Sequence, residues 1–341
     1  MTLTLALAIL GGVVLLALAV QAWWSLRRSQ PRLGLDAGTV PERVEPPMHA
    51  ATQPGAEAPP LRGATRPVPR LDALIDAIVT LTLEAPISGE AALQHLPTSR
   101  RAGTKPFYVE GLDADTGTWE PLAGGHRYGE LQAGVQMANR SGALNEIEFS
   151  EFAQTIEAFA ETVGARADIP DMLEVVARAR ELDGLAAPLD AQLSITLRTN
   201  GVAWSVGFVQ QVALRLGLVS GAVPGRWVLP ATEEEAAPPL LVLSVDAQAA
   251  LAEDPQAAVV RECTLALDVP QTPASVEPFP AWHLLSKRLA DDLDATATDD
   301  QGQAITLHVF DAIGKEIDEL YGKLEQLDLA AGSPAARRLF S

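Results

Sequence analysis

An internal repetition does most to limit what this chain can fold into. The stretch Asp76-Ala77-Ile78-Val79-Thr80-Leu81-Thr82-Leu83 returns as Asp190-Ala191-Gln192-Leu193-Ser194-Ile195-Thr196-Leu197. Asp, Ala, Thr and Leu are identical at Asp76/Asp190, Ala77/Ala191, Thr82/Thr196 and Leu83/Leu197. Both stretches read as strands. A second echo follows each: Phe149-Ser150-Glu151-Phe152 aligns with Phe279-Pro280-Ala281-Trp282, and Glu181-Leu182-Asp183 with Gln326-Leu327-Asp328.

The elements between the echoes come in one order. After the first strand a short helix is expected over Ser88–Leu96, then strands at Phe107–Leu112 and Thr118–Leu122 around the turn Asp113-Ala114-Asp115-Thr116-Gly117. Leu131, Ala133, Val135 and Met137 alternate with Gln132, Gly134 and Gln136, the mark of a strand with one buried face. Phe149, Phe152, Ile156, Phe159 and Val163 recur at spacings of three and four, which predicts an amphipathic helix. Met172, Val175, Val176, Ala179 and Leu182 predict another.

The second round gives a helix at Val206–Leu216, strands near Arg226–Leu229, Leu240–Val245 and Glu262–Val269, and a helix carrying Trp282, Leu285, Leu289 and Leu293. A last long helix carries Val309, Ile313, Ile317, Leu320, Leu324 and Leu327. Two domains are therefore expected, 71–186 and 187–331. Each is α+β, a mostly antiparallel sheet of the split β-α-β kind with helices on one face. The other sheet face is left open to a partner. Residues 332–341 are expected to be a disordered tail, with a recognition peptide or a clip onto a groove as the alternative.

The front of the chain differs in character. Thr2–Trp24 holds no charged residue and is long enough for a bilayer core, which needs roughly 20 apolar residues of helix. Trp23 and Trp24 suit the headgroup region, and Arg27, Arg28 and Arg32 follow. The basic flank puts the N-terminus outside and the rest in the cytoplasm. A cleaved signal peptide would want a basic start and small residues at the cleavage point, and neither is present. Residues 25–70 hold nine prolines and seven arginines against four acidic residues. They read as a disordered linker with a span on the order of 40 Å.

Net charge is −19, and with about +3 on the linker the remainder carries about −22. That balance excludes nucleic acid as a partner of the globular part. Enzyme chemistry finds no foothold. The histidines His49, His95, His126, His283 and His308 have no metal-ligand spacing to each other or to Cys263, which reads as a core residue. No phosphate-binding glycine loop is present. Asp113–Gly117 begins like a calcium loop but has its Gly out of register, so a hairpin turn is expected. No enzyme, cofactor or metal is implied.

The arrangement of anchor, basic flank, Pro-rich linker and C-terminal α+β part resembles the ZipA family of cell-division proteins. Cys263-Thr264-Leu265-Ala266-Leu267-Asp268-Val269-Pro270 is similar to that family's last long strand, which also ends in Val-Pro. The helix Phe279–Leu293, the segment Ala297-Thr298-Asp299-Asp300 and the final helix follow in the family's order. The doubled domain departs from the family's usual single one. The resemblance implies an inner-membrane, single-pass tether at the midcell division site. It would bind the C-terminal peptide of FtsZ and link the Z ring to the membrane through residues 2–24.

In the family the peptide lies as a helix in a shallow groove on the open sheet face. Carried over by strand alternation, that face would present Ser194, Thr196 and Arg198, then Val242, Ser244 and Asp246, then Thr264, Ala266 and Asp268. The first copy offers Ile78 and Tyr108 instead. Two other readings stand beside this one: a membrane-anchored scaffold for another protein, and a ligand or enzymatic site between the two domains.

Overall fold

A computed structural model describes residues 69–231, 238–299, 302–305 and 307–341. The run Thr2–Trp24, the linker up to residue 68 and Glu233-Glu234-Glu235 lie outside the described residues. Among those described, no helix is long and apolar enough to cross a membrane. The described chain is α+β with antiparallel sheets. It divides into two compact units, one of Ala191–Gly322 and one of residues up to Asp190 joined by Lys323–Ser341.

The first unit starts with strand β1 (Asp76–Ser88) and helix α1 (Gly89–His95). The short strand β2 (Arg101–Ala102) leads to β3 (Lys105–Asp113), β4 (Trp119–Pro121) and β5 (Arg127–Gln136). A small ladder of β6 (Ala138–Asn139) and β7 (Gly142–Ala143) precedes helix α2 (Glu146–Val163). Strand β8 (Ala165–Asp168) and helix α3 (Met172–Ala186) complete the run. The sheet order is β2-β3-β5-β1-β8, with β4 on β3. β1 outruns its expected end because a bulge between Thr82 and Ile87 carries it past Pro86.

Local chemistry sets the ends of α2. Asn145 caps it and Glu148 reaches back to the Asn145 N–H, a capping box, while Gly164 closes it in the left-handed conformation at φ 68°. Phe149, Phe152, Ile156 and Phe159 are all buried. The Phe152 ring meets Phe107 of β3 at 5.5 Å between centroids. Each such burial contributes about 2 kcal/mol.

The second unit repeats the order. It runs β9 (Gln192–Thr199), β10 (Trp204–Ser205), α4 (Val206–Arg215), β11 (Val219–Ser220), β12 (Arg226–Pro230) and β13 (Pro239–Ser244). A helical turn α5 (Ala247–Ala250), β14 (Val259–Val260), β15 (Glu262–Asp268), α6 (Pro278–Leu293), β16 (Ala295–Thr298) and α7 (Leu307–Gln326) follow. Its sheet order is β11-β12-β13-β15-β9-β16. β1 lies between β5 and β8, and β9 lies between β15 and β16, so the two echoed strands hold the same place in their sheets.

Alternation decides what is buried in the second unit. Ile195 and Leu197 of β9, Leu241 and Leu243 of β13, and Cys263, Leu265 and Leu267 of β15 form one core with Trp282, Leu285 and Leu289 of α6. Burial pushes the Cys263 thiol up to about 12, which suits an inert core residue. The two buried indoles satisfy their N–H groups on backbone carbonyls: Trp282 donates to Leu265 at 3.2 Å and Trp204 to Leu293 at 2.9 Å.

The tail corrects its expectation. Pro334–Leu339 form a helix, α8, capped by Ser333, with Ala336, Leu339 and Phe340 buried. The unit boundary falls inside α7, so residues 323–331, expected in the second copy, and the tail 332–341 both group with the first. A segment this short has too few turns to show periodicity, and its partners lie some 260 residues upstream.

Candidate functional site

The outward face of the second sheet is built from rungs. Residues directly opposite in an antiparallel ladder point to the same side. Val219 faces Val228, Val228 faces Val242, Val242 faces Ala266, and Ala266 faces Ser194. This is an apolar row across four strands that ends on a serine. The next rung reads Arg226, Ser244, Thr264 and Thr196. Beyond it Arg198 pairs with Glu262 at 3.2 Å, an exposed ion pair worth little. On the other side of the apolar row, Asp268 faces Gln192 and accepts from its side-chain amide at 3.3 Å.

A shallow cavity of about 380 Å³ opens on this face. Its floor includes Val242, Ser244 and Ala266, and Arg226, Pro239, Leu240 and Asp268 contribute to its walls. The size and the mixture of apolar floor with two opposite charges suit a side-chain cluster of a peptide better than a buried small ligand.

Eight of the nine residues expected on the open face are there, each exposed or half-buried and with at least one buried neighbour in its strand. Val242, Ser244, Ala266 and Asp268 line the cavity; Ser194, Thr196, Arg198 and Thr264 lie on the face outside it. Asp246 does not belong. β13 ends at Ser244, and the Asp246 carboxylate caps α5, accepting from the N–H groups of Gln248 and Ala249 at 3.0 Å each. Period-two extension ran past the end of the strand. Sequence reasoning also missed Val219, Val228, Arg226 and Leu240. Val228 was within reach, because it alternates with the buried Trp227. Val219 sits in a two-residue strand that carries no pattern.

The corresponding face of the first unit is covered by its own chain. Ile78 faces Gly134, which faces Tyr108; Thr80 faces Gln132, which faces Glu110. Leu71 lies on Gly134, where an added Cβ would come within 2.6 Å of its methyl group. The buried Glu110 accepts from the backbone N–H of Arg70 and, at 3.1 Å, of Leu71. Arg338 grips Asp76 with both terminal nitrogens, at 2.8 and 2.5 Å, and stacks over Tyr108 at 5.0 Å from its centroid. Burial raises the Asp76 carboxyl above the usual carboxylate range, against the lowering effect of Arg338.

Among the described residues, the donors that could meet one metal ion are Asp113, Glu120 and His126. His126 Nδ1 lies 2.8 Å from Asp113 Oδ2 and 2.7 Å from Glu120 Oε1. Asp113 also closes the expected hairpin turn, accepting from the N–H groups of Asp115 and Thr116. The Thr116 N–H and then His126 hold its carboxyl down at about 2. The hydrogen bond to Asp113, then the charge of Glu120, raises the His126 imidazole. With its Nδ1 within 2.8 Å of both buried carboxyl groups, the His126 ring is already partnered.

No protein-family model and no curated protein matches this chain.

Proposed function

We propose that the chain is a membrane tether whose second unit docks a partner peptide on its open sheet face. The observation that carries this reading is the apolar row Val219, Val228, Val242 and Ala266, with the cavity beside it. Outward-facing apolar side chains aligned across four strands, Val219 exposed and the other three half-buried, and rimmed by Arg226 and Asp268, are what an amphipathic helix needs for its buried side. The two units are copies of one split β-α-β domain. Thr2–Trp24 hold them at the inner membrane with the units in the cytoplasm, and the linker 25–70 gives them reach. The partner implied by the resemblance stated above is the C-terminal peptide of FtsZ at the division site, and the chain acts without catalysis.

A labelled FtsZ C-terminal peptide titrated into the full-length chain tests this. Binding in the micromolar range is expected, as for a modest interface. It should be lost in Val242→Glu, which places a charge at the centre of the row.

A further inference from the structure

In the first unit, the sheet face that corresponds to the open face of the second is met by other parts of the same chain. Placing Thr80 on Ser194 and following the ladders puts Gln132 on Ala266 and Glu110 on Val242. One rung further, Gly134 falls on Asp268, and Tyr108 takes the place of Leu240. The four residues that shape the cavity of the second unit thus correspond to Glu110, Gln132, Gly134 and Tyr108. In the first unit these positions are met by Arg70, Leu71 and Arg338.

The segment that delivers Arg338 has the character of a bound ligand. α8 is six residues long, far below what holds as a helix on its own. Arg338 is its charged anchor on Asp76, its own carbonyl accepts from Gln136 Nε2 at 2.7 Å, and its guanidinium donates to the Arg70 carbonyl at 2.6 Å. Leu339 and Phe340 are buried beside it, and the Ser341 carbonyl accepts from the Arg140 N–H. Gly332, in the left-handed region at φ 77°, precedes the segment and turns the chain into it.

We propose that Ser333–Ser341 is a peptide ligand held in cis at the Asp76–Gln136–Tyr108 end of the first unit's sheet face. The full-length chain then offers the second unit's face to outside partners, while the first unit's face is covered by Arg70 and Leu71 at Glu110 and Gly134 and by the Arg338 end of this segment at Asp76, Gln136 and Tyr108. This goes beyond the docking assigned to the second unit and does not depend on the identity of its partner.

The test is exchange in trans. A protease site is inserted between Ala331 and Gly332 of the full-length chain, the folded protein is cut, and a fluorescent peptide of residues Ser333–Ser341 is added. The cut chain should take up one labelled peptide, the uncut chain none. A peptide carrying Arg338→Ala should bind roughly tenfold or more weakly, as for truncating one partner of a buried charge pair. Three results would overturn the proposal. The cut chain could stay folded by circular dichroism and admit no labelled peptide, or the Arg338→Ala peptide could bind as well as the native one. The first unit could also unfold on cutting, which would make the segment part of the core and not a ligand. Because FtsZ peptide is absent from the assay, none of these outcomes bears on the second unit.

Discussion

Arg338 and Asp76, 262 residues apart in the chain, form a two-pronged ion pair in which the carboxylate side chain is wholly buried. Pairing does not fully repay burial, since the Asp76 carboxyl still sits above its ordinary range. Removing the cation leaves a buried charge alone, which costs about 3–5 kcal/mol. Arg338→Ala should therefore lower the stability of the first unit by roughly that amount. Asp76→Asn combined with Arg338→Gln should recover much of the loss. Urea unfolding of the native chain and the two variants checks this, with Trp282 and Trp204 reporting on the second unit.

Gly134 is where Leu71 approaches the sheet, at 2.6 Å from an added Cβ. Gly134→Ala should displace Leu71 and with it the backbone donors on Glu110, at a cost of about 1–3 kcal/mol. Asp268, at the corresponding place in the second unit, tolerates a side chain by construction, so Asp268→Ala should stay within about 0.5 kcal/mol. Thermal melts of both variants distinguish the covered face from the open one.

The cluster at His126 makes a pH prediction with two limbs. Asp113 is held at about 2, below its unfolded value, so its contribution is present above about pH 4 and fades as pH falls towards 2. His126 is raised above its unfolded value near 6.5. Its contribution is full below that value and fades as pH rises through the higher folded one. Melting temperatures of the native chain and His126→Asn should differ most between about pH 4 and 6.5 and converge towards alkaline pH. A constant gap from pH 4 to 9 would show that the imidazole charge does not matter.

The parts legible in the sequence were those whose burial is periodic. The Phe149-Phe152-Ile156-Phe159 stripe announced α2, and the alternation of β9 and β15 placed Ser194, Thr196, Thr264 and Ala266 correctly on the outward side. Periodicity says nothing of where a strand stops, which is why Asp246 was carried onto a face it does not share. Nor does it reveal pairing at long range. α8 is ordered by Asp76 and Gln136, and Asp113, Glu120 and His126 meet only because the β3–β4 hairpin turns back on β5. In the apolar row, Val219 came from β11, a two-residue strand too short for a pattern to show, whereas Val228 of β12 was signalled by its alternation with Trp227.

The row itself gives a further expectation. Val228 and Val242 face away from the core, so Val228→Ser and Val242→Ser should change stability by no more than about 0.5 kcal/mol. Each should still weaken peptide binding by about tenfold, the loss of one buried apolar side chain at an interface. Parallel chemical denaturation and peptide titration of the two variants would separate a surface that binds from one that merely folds.

The most direct test of the account is calorimetric titration of FtsZ C-terminal peptide into the full-length chain and its Val242→Glu variant. The account predicts one site of micromolar strength in the native chain and no measurable heat in the variant, with both proteins equally folded. Absence of binding to the native chain, or equal binding to both, would contradict it.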